Sequence, residues 1–414
     1  VLAVIGAVVI VGLLGGALAT ILTAGDDDPS DLAGQGEPAL PGQPDPGGPG
    51  GGGSGGGGSG PPPTEDELAT VVEDISSFVE EERGLEFREP VDVELADDAE
   101  FEERLLADFE EDQEELEETG VLLAALGLVD PGEDVVEAMR SLLGAGVVGF
   151  YDPETAELVV RGANLGPYVR STVAHELVHA LDDQHFGLDR PEYDEADDET
   201  GFGFSAVVEG NARRIENAYM ASLSEDERAL ADQEAMDLAF DSAVDLLSVP
   251  PAMIALITAP YDRGEPFVEA LLADGGQEAL DAAYEAPPRT SEQVIEPDAY
   301  LESEEAVDVP HPRPAGEVLD EGMAGQLLIE IVLGGPIGLG GLGEGSEAAE
   351  GWGGDWAVAW RDGERSCATL TIVGDTEGDT DELRGAFDEW AAEQDGATVT
   401  GGSGEPVTVE ACVG

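Results

Sequence analysis

Ala174-His-Glu-Leu-Val-His-Ala-Leu-Asp-Asp-Gln-His-Phe186 is the stretch on which the reading of this chain turns. On an α-helix, residues four apart share a face, so His175 and His179 can direct both imidazoles at one metal ion. Glu176 lies on the same side, where it can serve as general base toward a metal-activated water. Zinc lowers the pKa of such a water to ~7, and a carboxylate can then take its proton during attack on an amide carbonyl. An HExxH pattern alone can arise by chance, as solvated histidines on a helix. Here the whole chain has four histidines, and three of them, His175, His179 and His185, fall within eleven residues. The clustering argues for a site.

A zinc peptidase site needs a third protein ligand and an open fourth position. Two residues compete for the role. His185 completes the metzincin spacing HExxHxxGxxH, but Asp182 stands where that pattern has the glycine that turns the backbone. The other is Glu209, in Ala206-Val-Val-Glu-Gly-Asn-Ala212, which reads as a second helix. Gluzincins, such as thermolysin and the membrane-alanyl-aminopeptidase family, take their third ligand from a glutamate on a helix after the HExxH helix. In several of them that glutamate stands in a Glu-Gly-x-Ala setting, which Glu209-Gly210-Asn211-Ala212 resembles. The reading favours Glu209, with His185 as the alternative.

The resemblance extends further. The opening stretch is similar to a little-characterised family of bacterial and archaeal gluzincin-type metallopeptidase homologues, which carries an HELxHALxDQxF helix and a downstream EGxA helix. Pro260-Tyr-Asp-Arg-Gly264, Pro287-Pro-Arg-Thr-Ser-Glu-Gln293 and Gly351-Trp-Gly-Gly-Asp355 look similar as well. The resemblance implies a zincin-like core, Zn2+ held by His175, His179 and Glu209, and a peptide or protein substrate. Asp183 matches an acidic position late in the active-site helix of thermolysin. One departure stands out. Thermolysin has an aspartate four residues after its ligand glutamate, orienting a zinc histidine; here that position is Arg213. The group that polarises the carbonyl is also open, with Tyr193, Tyr219, Tyr261 and His311 as candidates.

Outward from the motif, the chain reads as mixed α+β and mostly helical. Val147-Val-Gly-Phe-Tyr151 and Glu157-Leu-Val-Val-Arg161 flank the turn Asp152-Pro-Glu-Thr155, a β-hairpin just before a helix over 167–183. Upstream, Thr64 with Glu67 three residues on signals a capped helix to about Arg83. Val91–Leu95 alternates as a strand, and acidic helices follow over 99–118 and 132–143. Downstream, 225–247, 265–272 and 317–333 have helical periodicity. Gly334–Gly345 lacks the Lys-Ser/Thr ending of a phosphate loop. The last segment, 350–414, reads as a small α+β unit with strands at 356–360, 367–373 and 407–412 and a helix at 380–393. Its Cys367 and Cys412 are the only cysteines. Both fall on predicted strands, and a disulfide between them would tie the final strand to the body, against the alternative of two buried thiols.

The first 24 residues carry no charge and are almost all Val, Leu, Ile, Ala and Gly. A helix of that length spans ~36 Å, enough for a ~30 Å hydrocarbon core, whereas a signal-peptide apolar region has only ~7–15 residues. An uncleaved transmembrane anchor is the better reading, cleavage after Ala19 or Ala24 the other. Residues 25–63 turn to Asp, Pro, Gly and Ser and read as a flexible tether, leaving 64–414 as the folded body. The chain of 414 residues carries 93 acidic and 16 basic residues, for a formal net charge of −77, and every basic residue is arginine. That balance excludes a nucleic-acid binder and polybasic docking on anionic lipid. It also fits a protein that works in brine, because molar salt shortens the Debye length to ~3 Å and screens self-repulsion. The expectation is a single-pass membrane protein with an extracellular zinc-peptidase body. The alternative is a surface module that keeps the fold and the metal but lacks turnover.

Overall fold

Thr64 opens the body as its sequence predicts. Its backbone N–H donates to Glu67 Oε2 at 2.9 Å while its hydroxyl accepts from the Glu67 N–H at 3.3 Å. This reciprocal cap satisfies donors that the first helical turn leaves open. Helix α1 then runs Glu65–Arg83. The protein, seen here in a computed structural model, is described over residues 10–13 and 63–414, apart from 108, 110–112, 163, 195, 338–340 and 343. The expected anchor over 1–24, save Ile10–Leu13, and the tether up to residue 62 lie outside the described residues. Among the described residues no helix is long and apolar enough to cross a membrane.

The fold is mixed α+β. Ile10–Leu13 forms strand β1, and β2 (Val93–Ala96) precedes α2 (Asp98–Leu105), α3 (Gln113–Ala125) and α4 (Val135–Gly146). The single acidic helix expected over 99–118 is thus two helices, and the second continues into the apolar run Val121–Ala125, which is buried. The hairpin β3 (Val147–Asp152) and β4 (Glu157–Arg161) forms as expected. The sheet order is β1-β3-β4-β2, with β2 parallel to β4 and the other pairs antiparallel.

Helix α5 (Pro167–Phe186) lies on this sheet, with Pro167 at its first turn, where a missing N–H costs nothing. It is buried without a break from Ser171 to Asp182, so it has no solvent stripe there. Gly149 lets β3 approach it. A Cβ at that position would come within 2.6 Å of Thr172 Cγ2 and 3.2 Å of Glu176 Cγ.

On its other side α5 packs against α6 (Thr200–Ser222), beside α7 (Glu225–Leu246). Helix α8 (Pro251–Gly275) crosses α6 backbone to backbone. A Cβ on Gly210 would lie 2.2 Å from the Gly264 carbonyl carbon, and one on Gly264 would lie 2.2 Å from the Ala206 carbonyl oxygen. The sequence predicts helix only over 265–272 of α8, because Pro260 interrupts the stretch before it.

Helices α9 (Gln277–Glu285) and α10 (Ser291–Ile295) lead into the C-terminal part. There β5 (Glu317–Gly322), α11 (Gly325–Gly334), β6 (Trp352–Asp362), β7 (Arg365–Gly374), α12 (Glu377–Glu393), β8 (Thr398–Thr400) and β9 (Val407–Val413) follow. The helix expected over 317–333 is corrected to a strand and a shorter helix. The Asp355 carboxylate accepts from the Ala324 and Gly325 N–H groups at 2.7 and 2.9 Å, so a contact from β6 fixes where α11 begins. The antiparallel sheet runs β8-β9-β7-β6-β5. Leu122 of α3 and Phe387 of α12 share one core with Leu370 and Val409 of the sheet. Cys367 and Cys412 stand opposite each other on β7 and β9 and form a disulfide.

Candidate metal centre

The helix brings His175 and His179 onto one face as their spacing requires, with ring centroids 4.7 Å apart. Glu209 comes from the facing turn of α6. Its Oε2 lies 3.1 Å from His175 Nε2 and 3.5 Å from His179 Nε2. The three donor atoms all lie within 4.8 Å of one another, and all three residues are buried. Glu176, the residue after the first histidine, is fully buried beside them at the foot of β3.

The electrostatics of the cluster show what it is built around. Burial pushes the His175 imidazolium down, but the Glu209 and Glu216 carboxylates outweigh it and hold the group up at about 10. His179 is pushed down by burial, against the pull of Glu209. Burial pushes the Glu209 carboxyl up, yet the two histidines prevail and hold it at about 2. His179 Nε2 is buried with no hydrogen-bond partner of ordinary geometry, although it faces Glu209. An unsatisfied buried donor set of this kind costs free energy unless a further partner fills it. Two imidazole nitrogens and a carboxylate oxygen, converging and buried, fit a cation. The group could hold a metal ion.

The sequence leaves open which group orients the two histidines, and the structure brings Glu216 to one of them. Glu216 Oε2 stands 3.3 Å from His175 Nδ1, and Arg213 Nη1 stands 3.3 Å from the same oxygen. Glu216 lies seven residues after Glu209, two helical turns on, so both carboxylates project from one face of α6. Arg213, which departs from the thermolysin pattern, pairs with that glutamate. Spacing of seven was the only available signal, and it became meaningful once Glu209 was fixed.

His185 does not join the cluster. Helix α5 continues to Phe186, so the backbone does not turn after His179, and His185 Nε2 pairs with the Glu86 carbonyl at 2.9 Å. Asp182, in the metzincin glycine position, is instead a buried anchor. Its Oδ1 accepts from Arg83 Nε at 2.7 Å, and its Oδ2 accepts from Asn211 Nδ2 at 2.8 Å and Tyr284 Oη at 2.5 Å. Asp183 accepts from Tyr151 Oη at 2.8 Å and so ties β3 to the end of the helix. Of the groups considered for polarising a carbonyl, Tyr261 alone reaches the centre, its ring 6.1 Å from that of His175 and tilted by 20°. Tyr193 packs on Phe204, Tyr219 on Phe78, and His311 stacks on Trp356 at 3.7 Å in the C-terminal sheet.

A family described as a domain of unknown function (DUF8575) matches residues 281–411. The match begins within α9 and takes in the C-terminal sheet, but it leaves out His175, Glu176, His179 and Glu209. No curated protein matches the chain, and neither does any solved structure.

Proposed function

We propose that the protein is a zinc-dependent peptidase of the gluzincin type, with a zincin-like core formed by α5, α6 and the hairpin β3–β4. The observation that carries the reading is the convergence of His175 Nε2, His179 Nε2 and Glu209 Oε2 within 4.8 Å, with Glu176 buried next to them. Zinc held by those three residues would supply a Lewis acid that acidifies water and polarises the scissile carbonyl. Glu176 takes the proton from the attacking water and passes it to the departing amine, a transfer its position directly after His175 favours. Glu216, steadied by Arg213, fixes the orientation of His175. The carboxylates of Glu176, Glu209 and Glu216 outnumber the one adjacent guanidinium, which makes a dication a better occupant than an anion.

In this reading the body works outside the cytoplasm. The Cys367–Cys412 disulfide supports an oxidising location. The deciding experiment pairs zinc analysis with hydrolysis of denatured casein in molar salt. One zinc per chain is expected for both the wild type and Glu176→Gln, with hydrolysis at least ~10²-fold slower in the variant. Equal rates would remove Glu176 from the mechanism. Zinc without cleavage in the wild type would leave a binding module in place of an enzyme.

A further inference from the structure

We infer that residues 10–13 are a cis-acting plug: docked on the edge of β3 they screen the metal centre, and a lipid bilayer that takes up the apolar segment exposes it. The consequence for catalysis rests on the peptidase reading; the docking itself does not. Among the described residues, β1 holds the outer place in its sheet, with β3 as its one neighbour. The antiparallel register sets Ile10 opposite Tyr151, Val11 opposite Phe150 and Gly12 opposite Gly149. Without β1, that edge of β3 would present a bare row of backbone donors and acceptors.

The pairing falls at the centre. Gly149 is where β3 approaches α5, and a Cβ there would lie 3.2 Å from both Cγ and Oε1 of Glu176. Residues directly opposite in an antiparallel pair stand ~4.5–5.5 Å apart and share a face. Position 12 therefore lies on the α5 side of the sheet, next to the residue that abuts Glu176, and β1 itself contacts α5. Backbone thus already runs past the proposed base, and no second extended chain can pair with β3 there. Glu176 and His179 have no exposed surface, and His175 has 1%. A centre that hydrolyses peptides has to open to its substrate. A four-residue edge strand, its last residue out of step with the ladder, is the element placed to move.

What displaces it is written in composition. Residues 1–24 carry no charge and are almost all apolar, and a helix needs about 20 such residues to cross a bilayer. Residues 10–13 fall in the middle of that stretch, so the segment cannot span a membrane as one helix and pair with β3 at once. A neutral bilayer is the matching partner, because anionic lipid repels a chain with a net charge of −77. In water the segment shelters on the sheet edge. In lipid it leaves, and the edge of β3 and the metal centre open together.

The test uses the full-length, zinc-loaded protein in molar salt, with and without phosphatidylcholine vesicles. It compares wild type with Gly12→Pro, since proline cannot donate to the ladder. Three quantities are read: hydrogen exchange of the β3 amides over 147–152, the rate at which a chromogenic chelator withdraws zinc, and casein hydrolysis. Without lipid, all three should be at least ~10-fold faster in Gly12→Pro than in wild type. Vesicles should bring wild type to the same rates. Equal exchange and equal chelator access in the two proteins without lipid overturn the proposal, as does a wild type whose rates vesicles leave unchanged. Exchange and chelator access that rise as expected, while neither protein cleaves casein, defeat the peptidase reading and keep the plug.

Discussion

Two carboxylates on one face of α6 reach the same imidazole from opposite sides, Glu209 at Nε2 and Glu216 at Nδ1. A histidine ligand whose second nitrogen is held has its ring orientation and tautomer fixed before metal arrives. Glu216→Gln should therefore weaken zinc binding by ~10–100-fold, read by competition with a chromogenic chelator. An unchanged affinity would mean that packing alone holds the ring. The HExxH residues were legible because their geometry is local, set by 3.6 residues per turn within one helix. Glu209 was legible by resemblance. Glu216 was not, since its role depends on how α6 is rotated against α5, and a heptad spacing between acids is common in a chain with 93 of them.

At the scale of elements, what could be read were starts and stops written in local chemistry: the Thr64 cap, the hairpin around Asp152-Pro-Glu-Thr155, and the proline that opens α5. The first half of α8 escaped because the proline at 260 removes a backbone donor, which ordinarily ends a helix. The crossing with α6 holds it together. Gly264→Ala should destabilise the protein by about 1–3 kcal/mol in urea unfolding, because the new Cβ meets backbone at 2.2 Å. Gly385→Ala in α12, where a Cβ meets nothing within 4 Å, should instead stabilise by about 0.5–1 kcal/mol. If both changes prove neutral, tight crossing is not what positions α8.

A second element-scale test concerns the start of α6. Glu199 precedes that helix, buried, with Oε2 accepting from the Ser291 N–H at 2.6 Å and its hydroxyl at 2.9 Å. Burial, with Asp355 adding repulsion, pushes its carboxyl up to about 8. The folded chain then holds this proton more tightly than the unfolded one. The group's share of stability is full below the ordinary glutamate range and is lost as pH rises through about 8. Glu199→Gln should flatten the fall in melting temperature between pH 5 and 9 relative to wild type. Parallel curves for the two proteins would show that Glu199 does not control it.

For the whole molecule, a formal charge of −77 with no lysine leaves the surface under strong mutual repulsion in dilute buffer. Its melting temperature should climb from dilute buffer to molar NaCl or KCl, and a flat or falling course would reject adaptation to brine. Composition leads to the expected division into apolar segment, tether and body, yet Ile10–Leu13 of the apolar segment pairs with β3 of the body. The interleaving of the body is not legible in composition, because no local pattern announces which distant segments will meet. The C-terminal sheet is covered by α3, so Leu122 shares a core with Leu370, Phe387 and Val409 across roughly 250 positions. That arrangement sets a timetable. On the ribosome, the apolar face of α3 emerges long before the strands that will cover it, and it has to wait. Closure over such separations is slow and leaves sticky surface bare in the meantime. The finished core, and the Cys367–Cys412 bond on its last strand, can form only when nearly the whole chain has been made, so a nascent chain stalled anywhere before residue 407 would be a client for chaperones.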